Sequence, residues 1–413
     1  MTRSSCDLPP ETRAELARVA AVTLAHAKAG TMSYASDVMR LEAGAYADRA
    51  RFEDELARLF RRVPLMLALS CELAEAGQYK TMEVAGVPVL IVRARDGTVQ
   101  AMLNACGHRA AFVAEGCGTA ARFTCPFHGW TFDLQGKLVG IASRADFGEI
   151  DPAAHALRRF PTHEAAGLIW VVLDPESKLS IPDFTRTFAP QIGAFNLASW
   201  HVVDTRVLKG ANWKLAFDAH IDWYHIPVLH RESFGPNVTN RALYHYYGPH
   251  IRMTRPQAEN PPPPETADPF KLDGTPMTDW PIEALMTGGW IMFPNASFFT
   301  VYPRERRMLN VNQILPGRTV DESWTVQTIL SEAPLDEATR KAGLILSDKI
   351  ETVVSTEDLP TSERQQRSLA TGLVESVCFG RNEGGNQHFH RLVARVLAAD
   401  DAELPQLFAP DAP

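Results

Sequence analysis

Cys106-Gly107-His108 and Cys125-Pro126-Phe127-His128 stand sixteen residues apart, and no other feature restricts this chain so strongly. Each half reads as a hairpin tip offering one thiolate and one imidazole. Two cysteines and two histidines can hold a [2Fe–2S] centre asymmetrically, the thiolates on one iron and the imidazoles on the other, which raises the potential above that of an all-cysteine cluster. Cys₂His₂ is also a tetrahedral zinc set. Zinc fingers, however, usually pair the two cysteines in one short segment and the two histidines in another. Here both halves are mixed, which favours iron–sulfur.

A second constellation follows about a hundred residues on, in Asp222-Trp223-Tyr224-His225-Ile226-Pro227-Val228-Leu229-His230. Upstream, Trp213, Phe217 and Ile221 recur every four residues, as on the buried face of a helix. Asp222 and His225 are then expected on one helical face, and Pro227 is expected to bend or end the helix so that His230 swings back toward His225. Two histidines with one carboxylate form a facial triad that leaves positions on Fe(II) open to oxygen. The bland alternative is a buried histidine pair on an apolar helix.

With Asn104-Ala105 before the first half and Gly129-Trp130 after the second, the cysteine–histidine pattern resembles that of Rieske proteins. Asn212-Trp213-Lys214 followed by the D-x₂-H-x₄-H stretch resembles the mononuclear iron motif of Rieske non-haem iron oxygenases, the aromatic ring-hydroxylating terminal oxygenases. The resemblance spans roughly residues 60 to 380. It implies Cys106, His108, Cys125 and His128 as cluster ligands, and His225 and His230 as mononuclear iron ligands. It makes Asp222 the bridge from a ligand histidine to the Rieske centre of a neighbouring subunit. The third ligand falls in Glu357-Asp358, on Asp358 by likeness and on Glu357 as the alternative. An amphipathic helix over Pro334 to Val354, with Leu344, Ile345, Ile350, Val353 and Val354 apolar, leads into that pair. Asp358 before Pro360 could equally cap the next helix. Ala110 stands where glycine is usual, and Phe127 where tyrosine is frequent.

The fold class expected is α+β. Residues 1–62 read as a helical segment packing on the catalytic domain, and 63–175 as a small antiparallel β Rieske domain. Residues 176–413 read as a helix-grip catalytic domain, an antiparallel sheet over a long C-terminal helix. Strands are expected over Val84 to Arg93, Gly167 to Leu173, Trp290 to Tyr302, Asn310 to Ile314 and Ser323 to Leu330, with a surface excursion at Pro261 to Pro264. Phe217, Asp218, Ile221, Phe234, Phe293, Phe298 and Phe299 are expected around the substrate, which makes it apolar and aromatic. Arg304, Arg306 and Arg307 are expected at a surface strand end. His220 reads as a packing residue, and His388 and His390 as loop-end or surface residues. Cys6, Cys71, Cys117 and Cys378 lack ligand spacing.

The 413 residues suffice for two or three domains. Lys+Arg 41 against Asp+Glu 49 leaves a net charge of −8, which disfavours nucleic acid and anionic membranes. No apolar run is long enough to span a bilayer, and six cysteines suit a reducing cytoplasm. No dinucleotide-binding G-x-G-x-x-G follows a strand. The resemblance therefore implies electrons from a separate NAD(P)H-fed flavin reductase, directly or through a ferredoxin. It also implies a homotrimer, with or without a small β subunit. Hydroxylation and oxidative O- or N-demethylation share these ligands. A Rieske electron-transfer protein without oxygenase activity is the reading from another class.

Overall fold

The computed structural model describes residues 8–235, 238–256, 276–301 and 306–408. The architecture is α+β with antiparallel sheets. A five-stranded sheet orders Arg159–Phe160, Val99–Leu103, Val87–Arg93, Gln78–Val84 and Cys117–Thr119. A three-stranded sheet of Phe123–Thr124, Thr131–Phe132 and Leu138–Gly140 lies beside it in sequence. Of Val84 to Arg93, expected as one strand, Val87–Arg93 is one, while Val84 ends the preceding strand Gln78–Val84. Val84 pairs with Val87, and Ala85 and Gly86 make the turn with φ of 49° and 73°, the left-handed pair that two-residue hairpins require.

The strand Val87–Arg93 is buried on both faces because alternate residues feed different cores. Val89 and Ile91 join the main core, whereas Leu90 and Val92 pack with Met102, Trp130 and Phe132 beneath the cysteine loops. The main core continues into a seven-stranded antiparallel sheet running from His201–Gly210 at one edge to Leu243–Tyr247 at the other. The stretch from Trp290 contributes two strands to it, Gly289–Met292 and Ala296–Val301, paired with each other. The strands expected downstream appear as Met308–Pro316 and Ser323–Ser331. The proline run Pro261–Pro264 lies outside the described residues.

Helices Trp213–Ile221, Glu337–Val353 and Gly384–Ala398 pack on this sheet or its margins. The buried side of Glu337–Val353 is made of Thr339, Ala342, Gly343, Ser347 and Val353, whereas Leu344 and Ile345 are exposed. Small residues let the helix approach closely, since Val203 already crowds the Cα of Gly343. The N-terminal segment holds the helix Pro10–Ala29, ended by Gly30 at φ 65°. It also holds a strand that helical periodicity concealed, Met39–Glu42, which pairs with Ser376–Phe379.

Two histidines, His250 buried and His245 half-buried, bear on acid stability. His250 is fully buried and donates Nε2–H to the Phe184 carbonyl at 3.0 Å; burial pushes its pKa down to about 3. Burial, helped by the nearby Arg252 charge, pushes His245 down to about 4. Between pH 6.5 and these values the unfolded chain binds protons that the folded one refuses. Stability is therefore full above pH 6.5 and lost as pH falls, by about 1.4 kcal/mol per pH unit for each histidine. Denaturant unfolding at pH 7, 6 and 5 should show this slope, and His250→Gln should flatten it by about one proton; an unchanged slope would count against the buried neutral ring.

Candidate active site: two constellations of metal-binding residues

The two cysteine loops fold alike. In each, the backbone N–H four residues after the cysteine bonds to the cysteine carbonyl, Ala110 to Cys106 at 2.9 Å and Gly129 to Cys125 at 3.0 Å. Both residues lie in the left-handed region, Ala110 at φ 59° and Gly129 at φ 70°. An alanine there costs roughly 1–2 kcal/mol, so the alanine noticed in the sequence carries strain that its mirror-image glycine avoids. Cys106 and Cys125 are buried, and the rings of His108 and His128 meet at 4.7 Å. Trp130 stacks on His108 at 5.0 Å, while the His108 Nδ1 is buried without a hydrogen-bond partner. A buried nitrogen left unpaired beside two thiols is what a metal ligand looks like without its metal. The donor set and this orphaned atom fit a Rieske [2Fe–2S] cluster.

The second constellation begins with a rigid helix start. Asn212 caps Trp213–Ile221, its side chain accepting from the Lys214 N–H at 3.0 Å. Trp213 Nε1 donates to the buried Glu55 at 2.8 Å, and Lys214 Nζ bonds the same carboxylate. These bonds fix the helix whose far end delivers Asp222. The expectation of one continuous helical face fails there. Asp222 is extended, with ψ of 128°, and the helix has already ended at Ile221. Asp222 meets His225 across a turn: Oδ1 accepts from the Tyr224 N–H, and Oδ2 from His225 Nδ1 at 3.0 Å. Pro227 sits in the first turn of a new short helix, Ile226–Leu229, where its missing N–H is harmless. His230 follows directly.

Asp358 arrives from a different direction. The helix Glu337–Val353 widens into a π-helical turn, Val354–Asp358, before Leu359–Leu369 continues. Asp358 has helical angles and no capping bond, so the N-cap reading is incorrect. Its Oδ1 lies 3.3 Å from His230 Nε2 and 3.7 Å from His225 Nε2. Donor atoms of His225, His230 and Asp358 all fall within 4.8 Å of one another. Glu357, the alternative, takes another place: Oε2 sits 2.5 Å from His230 Nδ1, and Oε1 accepts from the Ser233 hydroxyl. Each imidazole thus has a carboxylate on Nδ1 and turns Nε2 toward the third carboxylate. Burial would lower the pKa of His230, but Asp358 and Glu357 outweigh it and raise it. A pocket that draws a proton onto an imidazole holds a metal cation for the same reason. Two imidazoles and a carboxylate suit ferrous iron.

A cavity of about 840 Å³ opens over these side chains and includes Asp222, His225, His230 and Asp358 in its wall. Of the residues expected around a substrate, Phe234 and Phe299 line it. Phe217, Ile221, Phe293 and Phe298 do not. They are buried in the main core, Phe298 stacked on Trp290 at 5.0 Å and Phe217 packed on Phe389 at 4.8 Å. Asp218 faces inward to Tyr46 Oη at 2.6 Å and His390 Nε2 at 2.8 Å. His390 is accordingly a buried helix residue, not a surface one. His220 lines the cavity and donates Nδ1–H to the Ala216 carbonyl at 2.8 Å. Arg307 does stand at a strand end, directly before Met308–Pro316, but it is buried against Phe195 and Trp200 and pairs with Glu332 at 2.8 Å. Arg304 and Cys6 lie outside the described residues. Cys117 and Cys378 are exposed and Cys71 is half-buried, in keeping with thiols that ligate nothing. Sequence reading missed Arg252, Arg255, Trp223 and Lys349 in the cavity wall, because they share no spacing.

Residues 63–161 match the family described as Rieske [2Fe-2S] domain, and residues 197–399 match Ring hydroxylating alpha subunit (catalytic domain). The glycine betaine monooxygenase oxygenase subunit of Pseudomonas aeruginosa is 30% identical over 191 residues, covering 45% of this chain and 44% of that protein. The carnitine monooxygenase oxygenase subunit of Escherichia coli is 27% identical over 368 residues, 85% of this chain and 92% of that one. A crystal structure of a quaternary ammonium Rieske monooxygenase with γ-butyrobetaine superposes with TM-score 0.71 at 22% identity, over 87% of this chain and 96% of the other. The matched region thus spans under half the length of the glycine betaine relative and nearly all of the carnitine relative. The chain belongs to the Rieske non-haem iron oxygenases, whose domains bind a [2Fe–2S] cluster and a mononuclear iron. No described helix is long and apolar enough to cross a membrane.

Proposed function

We propose that this chain is the terminal oxygenase component of a Rieske system, inserting oxygen from O₂ into a C–H bond of a small polar molecule. The observation that carries the reading is the convergence of His225 Nε2, His230 Nε2 and Asp358 Oδ1 beneath the cavity, with both Nδ1 atoms held by Asp222 and Glu357. When bound, the cluster supplies one electron at a time and the mononuclear iron activates oxygen. His225, His230 and Asp358 would hold the iron, and the cavity beside them would take substrate and oxygen. Glu357 and Asp222 fix the tautomer and direction of the two imidazoles. The cavity walls shield the reacting bond from water.

The wall is mostly apolar but includes Arg252, Arg255 and Lys349, which suits a substrate bearing a polar or anionic group. The relatives' named substrates, glycine betaine and carnitine, support a small polar one. Hydroxylation next to nitrogen releases a methyl group as formaldehyde, so N-demethylation is one outcome of the same chemistry. Electrons come from a separate reductase or ferredoxin, and like subunits form a closed ring. Supporting this, Tyr224 and Val228 beside Asp222, and Phe127 at the cluster tip, are large apolar side chains left exposed at 54%, 79% and 56%.

Anaerobic purification should yield about three irons and two acid-labile sulfides per chain. With a surrogate reductase and NADH, quaternary amines and aromatic acids should be screened for oxygen-dependent product. Zinc without sulfide would overturn the assignment of both sites.

A further inference from the structure

Arg255 is exposed and lines the cavity. Its guanidinium lies 4.7 Å from the ring centre of Trp223, the residue next to Asp222. Among the described residues no carboxylate pairs with it. Arg252, within the strand His250–Thr254, is 1% exposed. Its Nη2 donates to the carbonyls of Leu285 and Thr287, and its Nε and Nη1 have no partner. Lys349, over the Phe234 ring at 5.8 Å, is a third cation lining the cavity.

The acidic side chains of the wall are Asp222 and Asp358, and both are turned to the histidines. The cavity wall therefore carries three cations against two carboxylates, and Arg255 is the cation beside Trp223. Burial costs these cations: Arg252 is drawn down to about 10, and Arg255 is lowered by burial alone. A guanidinium such as that of Arg255, lining a cavity with no carboxylate partner among the described residues, is arranged for an anion, and its planar fork matches a carboxylate with two parallel bonds.

We propose that Arg255, stacked on Trp223, is the recognition site for a carboxylate on the substrate. This rests on the oxygenase reading and adds a substrate class to it. The carboxylate anchors one end of the molecule beside Trp223, and its length decides which carbon lies over His225, His230 and Asp358. Arg255 is here a specificity residue. It touches the non-reacting end of the substrate.

The test is equilibrium binding to the iron-loaded protein without oxygen or reductant, followed by tryptophan fluorescence, since Trp223 and Trp280 line the cavity. The probes are γ-butyrobetaine, glycine betaine and benzoate, each beside its methyl ester. At least one acid should bind well and its ester about tenfold to a hundredfold more weakly, the loss expected for a charge-assisted bond. Arg255→Gln should weaken the acid by a similar factor and leave the ester unchanged, and Arg255→Lys should fall between. Iron content and cluster absorbance of each variant establish that it is folded. Equal binding of acids and esters, or an Arg255→Gln protein that binds the acid normally, overturns the carboxylate site and leaves the oxygenase reading intact. Failure of the oxygenase reading would appear separately, as missing iron or as no oxygen-dependent product from any probe.

Discussion

Asp358→Ala should leave the visible absorption of the cluster unchanged and strip the protein of its mononuclear iron and its oxygenase activity. Asp358 is the one carboxylate that both Nε2 atoms face, at 3.3 and 3.7 Å. Its removal leaves two imidazoles and no carboxylate facing their Nε2 atoms. Glu357→Ala makes the informative contrast. It removes the group on His230 Nδ1 and the bond to Ser233, while the three donors remain. Loss of such an outer partner typically weakens metal binding about tenfold to a hundredfold, so excess Fe(II) should rescue Glu357→Ala and not Asp358→Ala. The four residues of the cluster lie on a separate sheet system with its own small core, so the cluster should be indifferent to either change. Iron titration on both variants decides the matter. Full iron in Asp358→Ala, with loss in Glu357→Ala, would exchange the roles of the two residues.

Asp222→Asn should assemble both metal centres and still lose turnover by orders of magnitude. The carboxylate accepts from two donors at once, Tyr224 N–H and His225 Nδ1–H. An amide of the same shape has a single acceptor oxygen. One of the two bonds must break, and the NH₂ group is turned against a donor. A comparable change at the aspartate of a serine-protease triad lowers kcat about 10⁴-fold with geometry intact. The surroundings of Asp222 are partly open, its side chain 20% exposed, as a group that meets a neighbouring subunit requires. Cluster reduction should be normal, and a single turnover of pre-reduced protein should be slow. Size-exclusion and cluster absorbance on the same sample identify a merely structural defect. Normal turnover by a monomeric Asp222→Asn protein would remove the aspartate from any path between subunits.

Much of this site was legible because metal ligands leave short, fixed spacings. The two cysteine–histidine loops, the helix start at Asn212 and the His225–His230 pair lie within segments of a few residues each. The acidic pair at 357–358 was visible as a pair, but which member faced the histidines depended on a backbone irregularity that composition does not encode. The pocket was misread for a simple reason. Phe298 and Phe299 are consecutive on one strand, so one enters the core and the other the cavity, and an apolar side chain does not say which face is which. Partnerships across long separations were invisible as well. Asp218 and His390 meet across 172 positions, and Arg255 meets Trp223 from a strand end with no pattern to mark it. The fold class survived because alternation and turn residues are local. The strand Met39–Glu42 was lost because its partner lies near the far end of the chain.

The wide turn at Val354–Asp358 has a consequence for how such a centre can arise. A π-helical turn is what one inserted residue leaves in an α-helix. Each α-helical residue advances the direction of the side chain by about 100°. Deleting a single residue from this turn would restore the regular helix and swing Asp358 from the histidines toward the sheet or the solvent. The helix before it and the helix after it could otherwise remain in place. The difference between a two-histidine pocket and a complete iron site is then one codon, with no new loop and no change of fold.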